Sequence, residues 1–154
     1  MEEQIVSTQA MLLEPNRGTS LQVLHDRLRV LTTGEDTDGA YEVFELTGPF
    51  NSGPPPHSHP WGESFFVLEG EVEILVGETQ KVATTGCFAR IPAGMVHTYR
   101  IVSPSARLLV MTQGPNASKF FTDLDREIDP QALDLEKIIA VAARHHVVPA
   151  AHPQ

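Results

Sequence analysis

The amino-acid sequence predicts an all-β domain, an antiparallel sandwich or small barrel, followed by short helices. Three observations point there. Between residues 64 and 112, short apolar runs recur at close spacing. Gly70, Gly77, Gly86, the Pro92-Ala93-Gly94 triplet and Pro104 punctuate most of their junctions, and closely spaced strands with such turns mark sandwiches and barrels. Within one run Val72, Ile74 and Val76 alternate with Glu71, Glu73 and Leu75, the period of a strand with one inward face.

Taken in order, the first 20 residues carry little pattern and read as an arm with a short strand at Met11-Leu12-Leu13. DRLRVLTT (26–33) favours a strand, GEDTDG a turn, and YEVFELT (41–47) another strand. GPFNSGPPP is a loop, because proline lacks the amide donor a helix needs. Strands follow at 64–68, 72–76, 80–83, 87–91, 96–101 and 106–112. Asn116 caps a short helix carrying Phe120, Phe121 and Leu124. Asp129-Pro130 reads as the start of a second. There Leu135, Ile138, Ile139 and Ala142 form one apolar stripe. This divides the chain into a barrel with its N-terminal arm (1–115) and a helical extension packed on the same domain (116–154).

A length of 154 residues fits one domain, and 41% hydrophobic with 20% charged residues is ordinary for a soluble protein. A net charge of −9 argues against nucleic-acid or anionic-membrane partners, which need a basic face. Cys87 is the sole cysteine, so an intrachain disulfide and a cysteine zinc site are excluded. It reads as a small buried residue in a strand. The N-terminus lacks the pattern of a secretory leader and no apolar run is long enough to span a bilayer, so a cytoplasmic protein is expected.

The chemistry concentrates in PPPHSHPWGESFF, residues 54–66. On a strand, residues two apart share a face, so His57 and His59 can bind one ion. Glu63 adds an anionic oxygen after the Pro60-Trp61-Gly62 turn, and His97, after IPAG, is the candidate fourth ligand. A His-x-His pair alone reads sooner as two partly exposed loop histidines. Here it belongs to a longer pattern, H-x-H-x3-E-x6-G from His57 to Gly70. A second pattern, G-x5-P-x-G-x2-H, runs from Gly86 to His97.

These paired motifs, in this order, resemble the cupin superfamily, in particular small single-barrel cupins similar to quercetin dioxygenase. The resemblance implies an antiparallel double-stranded β-helix, or jelly-roll barrel, and a homodimer. It implies metal ligands at His57, His59, Glu63 and His97, and one divalent transition metal per chain. Three histidines and a carboxylate suit iron, manganese, nickel, cobalt, copper or zinc. Two positions depart from the motifs. Asn51 stands where the first usually opens with glycine, with Gly53 close by, and Ile101 where the second usually ends in asparagine.

Phe50, Trp61, Phe65 and Tyr99 are candidates to line a substrate pocket, and Glu63 and Tyr99 to take part in chemistry. Arg90 and Arg100 read as solvated charges, and Glu42, Glu45, Glu71 and Glu73 as facing water or a subunit interface. His25, His145, His146 and His152 do not read as ligands. The implied function is a metal-dependent dioxygenase acting on a small enolisable or aromatic compound. Non-redox isomerase or lyase chemistry and metal-dependent binding without turnover stand as alternatives.

Overall fold

Side-chain alternation decides which face of each strand is buried, and the faces assemble into two opposed antiparallel sheets. A computed structural model describes residues 9–150. His152 and the first eight residues of the expected arm lie outside that range. The strands are β1 (Ser20–Val23), β2 (Asp26–Thr32), β3 (Tyr41–Pro49), β4 (His57–Ser58), β5 (Glu63–Glu69), β6 (Val72–Val76), β7 (Thr79–Ala83), β8 (Phe88–Ile91), β9 (His97–Ile101) and β10 (Ser105–Gln113). Two helices, α1 (Ala117–Glu127) and α2 (Leu135–Arg144), precede a last strand, β11 (Val148–Pro149). One sheet has the order β1-β2-β3-β10-β5-β8 and the other β11-β4-β9-β6-β7. This is a jelly-roll barrel.

The core lies between the sheets. Phe44 and Leu46 of β3, Phe65 and Val67 of β5, and Leu108 and Val110 of β10 face Val72, Tyr99 and Ile101 from the opposite sheet. The rings of Phe65 and Tyr99 meet edge to face at 5.8 Å. Gly70 turns the chain from β5 to β6 with φ of +86°, and a Cβ there would stand 2.5 Å from the Ser105 carbonyl oxygen. Asn51, in place of the motif's glycine, adopts φ of +70°. Asparagine tolerates that left-handed conformation better than most residues, which accounts for the substitution.

Several expectations are corrected. Met11-Leu12-Leu13 form no strand. Leu12 is 83% exposed and the run ends at Pro15 without a neighbouring strand to pair with. β1 begins at Ser20 instead, in a hairpin with β2. Asp129-Pro130 makes a turn, not a helix start: the Asp129 carboxylate accepts from the Gln131 amide at 2.9 Å, the local bond that favours aspartate in turns. α2 is capped by Asp134, which accepts from Lys137 N–H. Cys87 is exposed, in the turn before β8.

Glu42 departs furthest from expectation, being fully buried. It shares the inward face of β3 with Phe44 and accepts from the amides of Gly34 (2.9 Å) and Ser118 (2.8 Å). Ser118 lies in the first turn of α1, so this carboxylate, not the Asn116 side chain, satisfies the helix's N-terminal amide. Edge-to-face packing of Phe121 on Phe44 at 5.1 Å seats the same helix on the barrel.

Candidate metal centre

Three histidines converge at one end of the barrel. β4 pairs antiparallel with β9, placing His57 opposite His97 with ring centroids 4.5 Å apart. His59, just beyond β4, sets its ring 4.7 Å from His97. The second motif holds it there, since the Gly94 N–H donates to the His59 carbonyl at 2.8 Å. The three histidines' ligand-type nitrogens lie within 4.8 Å of one another. Glu63 opens β5 with its Oε2 2.9 Å from His59 Nε2 and 4.0 Å from His97 Nε2.

Each imidazole is oriented by a backbone carbonyl. Nδ1 of His57 bonds the Pro55 oxygen at 2.9 Å, that of His59 the Trp61 oxygen at 2.8 Å, and that of His97 the Met95 oxygen at 2.9 Å. A carbonyl only accepts, so each bond assigns the proton to Nδ1 and leaves an Nε2 lone pair for a ligand. His97 Nε2 is buried without a partner among the described residues. His59 Nε2 faces the Glu63 carboxylate, and two lone pairs at that distance require a shared proton or a shared cation.

Electrostatics prepares the same state. Burial and the neighbouring His97 push His57 down to about 4 from the ordinary 6.5. Burial also lowers His97. Burial alone would raise the Glu63 carboxyl, but the His59 hydrogen bond and the surrounding imidazoles outweigh it and hold the group below its usual range. Neutral imidazoles and an ionised carboxylate are the forms that ligate metals. The donor set therefore fits a divalent transition metal.

Comparison with known proteins agrees with this geometry. Residues 47–112 match the model of the cupin domain. That stretch is similar to the cupin domain. Over 101 residues the chain is 29% identical to quercetin 2,3-dioxygenase of Bacillus subtilis (strain 168), covering 65% of this chain. The chain spans 30% of that relative's length. Among solved structures, KdgF from Halomonas sp. aligns with a TM-score of 0.65 at 10% identity, covering 72% of this chain and 99% of that one. A predicted oxalate decarboxylase from Thermotoga maritima aligns at 0.62 with 15% identity, covering 68% and 99%. At such identities these two show the fold alone.

The three histidines border a cavity of about 290 Å³ inside the barrel. Of the expected pocket residues, Trp61, Phe65 and Tyr99 line it. Trp61 stacks on His59 with 4.4 Å between rings and 13° between planes. Phe50 does not belong there: it is 60% exposed, in the turn after β3. Arg100 pairs with Glu73 at 3.2 Å on the outer surface, and Arg90 is exposed. His145 bonds Asp123 at 2.7 Å, away from the histidine cluster.

Two contributions escaped the reading of the sequence. Asp26, 2% exposed, lines the cavity and accepts the Tyr99 hydroxyl through Oδ2. Its Oδ1 has no partner among the described residues. Burial raises the Asp26 carboxyl, opposed by the nearby Ser52 hydroxyl and the Tyr99 hydrogen bond, and burial together with the Asp26 charge raises the Tyr99 phenol. The visible signal was the two-residue period, which puts Asp26 on the face of Leu28. The second contribution is the helical extension, whose Phe120, Phe121 and Ile138 form a wall of the cavity.

Proposed function

We propose that this protein is a metal-dependent dioxygenase acting on a small enolisable or aromatic compound, with His57, His59, Glu63 and His97 holding the metal. The observation that carries the reading is the convergence of three carbonyl-oriented imidazoles and an ionised carboxylate at the end of an apolar cavity. Similarity to a quercetin 2,3-dioxygenase supports the choice of reaction class. A bound divalent metal supplies Lewis acidity toward a substrate hydroxyl or enolate and, where redox-active, access to dioxygen chemistry.

The chain's own residues supply the rest. Glu63 is ionised beside the ligand nitrogens, where it accepts the proton of an enol or phenol. Trp61, flat against His59, and Phe65 on the inner sheet face shield the reacting end from water. Tyr99, kept protonated by its environment, offers a hydroxyl that is shared with Asp26.

Elemental analysis of untagged wild type beside a His57→Ala, His59→Ala variant tests the site. The wild type should carry about one transition metal per chain and the variant none, as loss of ligands predicts. Oxygen uptake with quercetin then tests the reaction. A wild type that stays empty after incubation with iron, manganese, nickel, cobalt, copper and zinc overturns the metal site. A loaded protein that consumes no oxygen with flavonols or other enolisable substrates overturns the dioxygenase.

A further inference from the structure

The cavity beside the histidines has an uneven chemistry. Its polar side-chain groups are the histidines and Glu63 at one end, the Trp61 indole N–H beside them, and the Asp26–Tyr99 pair on the wall, bonded to each other with Asp26 Oδ1 left over among the described residues. The remaining surface is hydrocarbon, aromatic or proline, and no lysine or arginine lines it among the described residues. A phosphate or a second carboxylate entering this space would lose its water and find no cation along the walls. A buried charge without a partner is strongly disfavoured. A polyhydroxylated ligand would fare little better, with few groups to replace its hydrogen bonds to water.

The C-terminal helices extend the same surface. Phe120 and Phe121 of α1 and Ile138 and Ala142 of α2 reach the cavity. Two more residues of α2, Leu135 and Ile139, also line it and remain 63% and 42% exposed. Large apolar side chains left wet at a cavity rim gain free energy when an apolar body covers them. β11 closes the same side, with the Ala150 N–H bonded to the Pro56 carbonyl beside His57 at 2.9 Å.

We infer that the site takes a ligand with one oxygen-donor head and an otherwise apolar body, and that the α1–α2 wall selects it by that body. The head lies at the histidines and Glu63, and the body runs between Phe65 and the helices to the rim at Leu135 and Ile139. The inference rests on the metal-dependent reading for the head only. The wall belongs to the helices, whatever the reaction.

Straight-chain carboxylates from acetate to decanoate, titrated calorimetrically into the metal-loaded full chain, provide the test. Such chains bend to fit a cavity whatever the shape of the natural ligand. The dissociation constant should fall roughly fourfold per added methylene until the cavity is filled. Octanedioate should bind at least tenfold more weakly than octanoate. A Leu135→Glu, Ile139→Glu variant alters exposed positions, so circular dichroism and metal content should match wild type. It should lose roughly tenfold or more in octanoate affinity and keep its acetate affinity. A flat length series, octanedioate binding as tightly as octanoate, or an unaffected variant each overturns the inference. Metal-stripped protein separates the two readings. A length dependence that persists without metal, at undiminished affinity, keeps the apolar wall and removes the metal anchor. Metal-dependent binding with no length dependence keeps the anchor and removes the wall.

Discussion

Pro149 on β11 is the register partner of His57 on β4. Proline cannot donate, so the bond that secures the pair comes from the next residue, Ala150 N–H to Pro56 O at 2.9 Å. The same His57 faces His97 across β4–β9. The two-residue strand that carries His57 is thus held from both sides, one of them the end of the helical extension. Truncation after Val147 should leave the barrel folded by circular dichroism. It should weaken metal affinity by roughly tenfold to a hundredfold, the usual effect of losing a ligand's support. Competition against a chelator of known affinity measures it, and an unchanged constant would detach the extension from the site.

Acid should weaken the metal-free fold. Unfolded, His57 titrates near 6.5, but in the native state only near 4. Between those values the unfolded chain binds a proton that the folded chain does not, so stability falls as pH falls through that window. His57 alone contributes up to about 3 kcal/mol. Glu63 acts in the same direction at lower pH: its folded carboxyl sits below the ordinary 4.5, so its stabilisation is present above that value and lost as it protonates. Urea midpoints of metal-stripped protein at pH 7 and pH 5 should differ accordingly. His57→Gln should shrink the difference, and an equal slope in the variant would contradict the assignment.

The Asp26–Tyr99 pair should behave as a unit. Tyr99→Phe removes the donor to a carboxylate that is 2% exposed, at a cost of about 2 kcal/mol. Asp26→Leu leaves the Tyr99 hydroxyl unpaired at a similar cost. The double variant should be more stable than the sum of the two by roughly 1 kcal/mol or more, because no orphaned group remains. Additive effects in urea denaturation would show that the two groups do not depend on each other.

What was legible in the sequence was local. The two-residue period of Val72–Val76 and its neighbours, and the spacing from His57 through Glu63 to His97, need no knowledge of distant partners. Of the strands that escaped, β1 pairs locally with β2 but is only four residues long, and the other two are made by long-range pairing. β4 and β11 are two residues each and have no period to read. Asp129 and Asp134 both look like helix caps, and only the structure shows that Asp129 spends its carboxylate on the Gln131 amide. Glu42 and Asp26 stand on the inward faces of their strands; the charge of Glu42 argued for the surface, and nothing local marked Asp26 as buried. The partners that make burial tolerable, Ser118 and Tyr99, lie 76 and 73 residues away.

Glu42 offers a test of how the helical wall is attached. Its carboxylate accepts from Gly34 N–H at the β2–β3 connection and from the N–H and hydroxyl of Ser118 on α1. Glu42→Ala would leave two amides without their acceptor in a buried site, a loss of about 3 kcal/mol. Glu42→Gln retains one carbonyl oxygen and should lose only about 1 kcal/mol by the same reasoning. The damage should be local. Amides of α1 should exchange with deuterium markedly faster in Glu42→Ala, while those of β9, held between β4 and β6 in the other sheet, keep their protection. Since Phe120 and Phe121 ride on α1, octanoate affinity should fall in the same variant with metal content unchanged. If α1 exchanges as slowly as in wild type, the helix is seated by Phe44 and Phe121 packing and the carboxylate is dispensable.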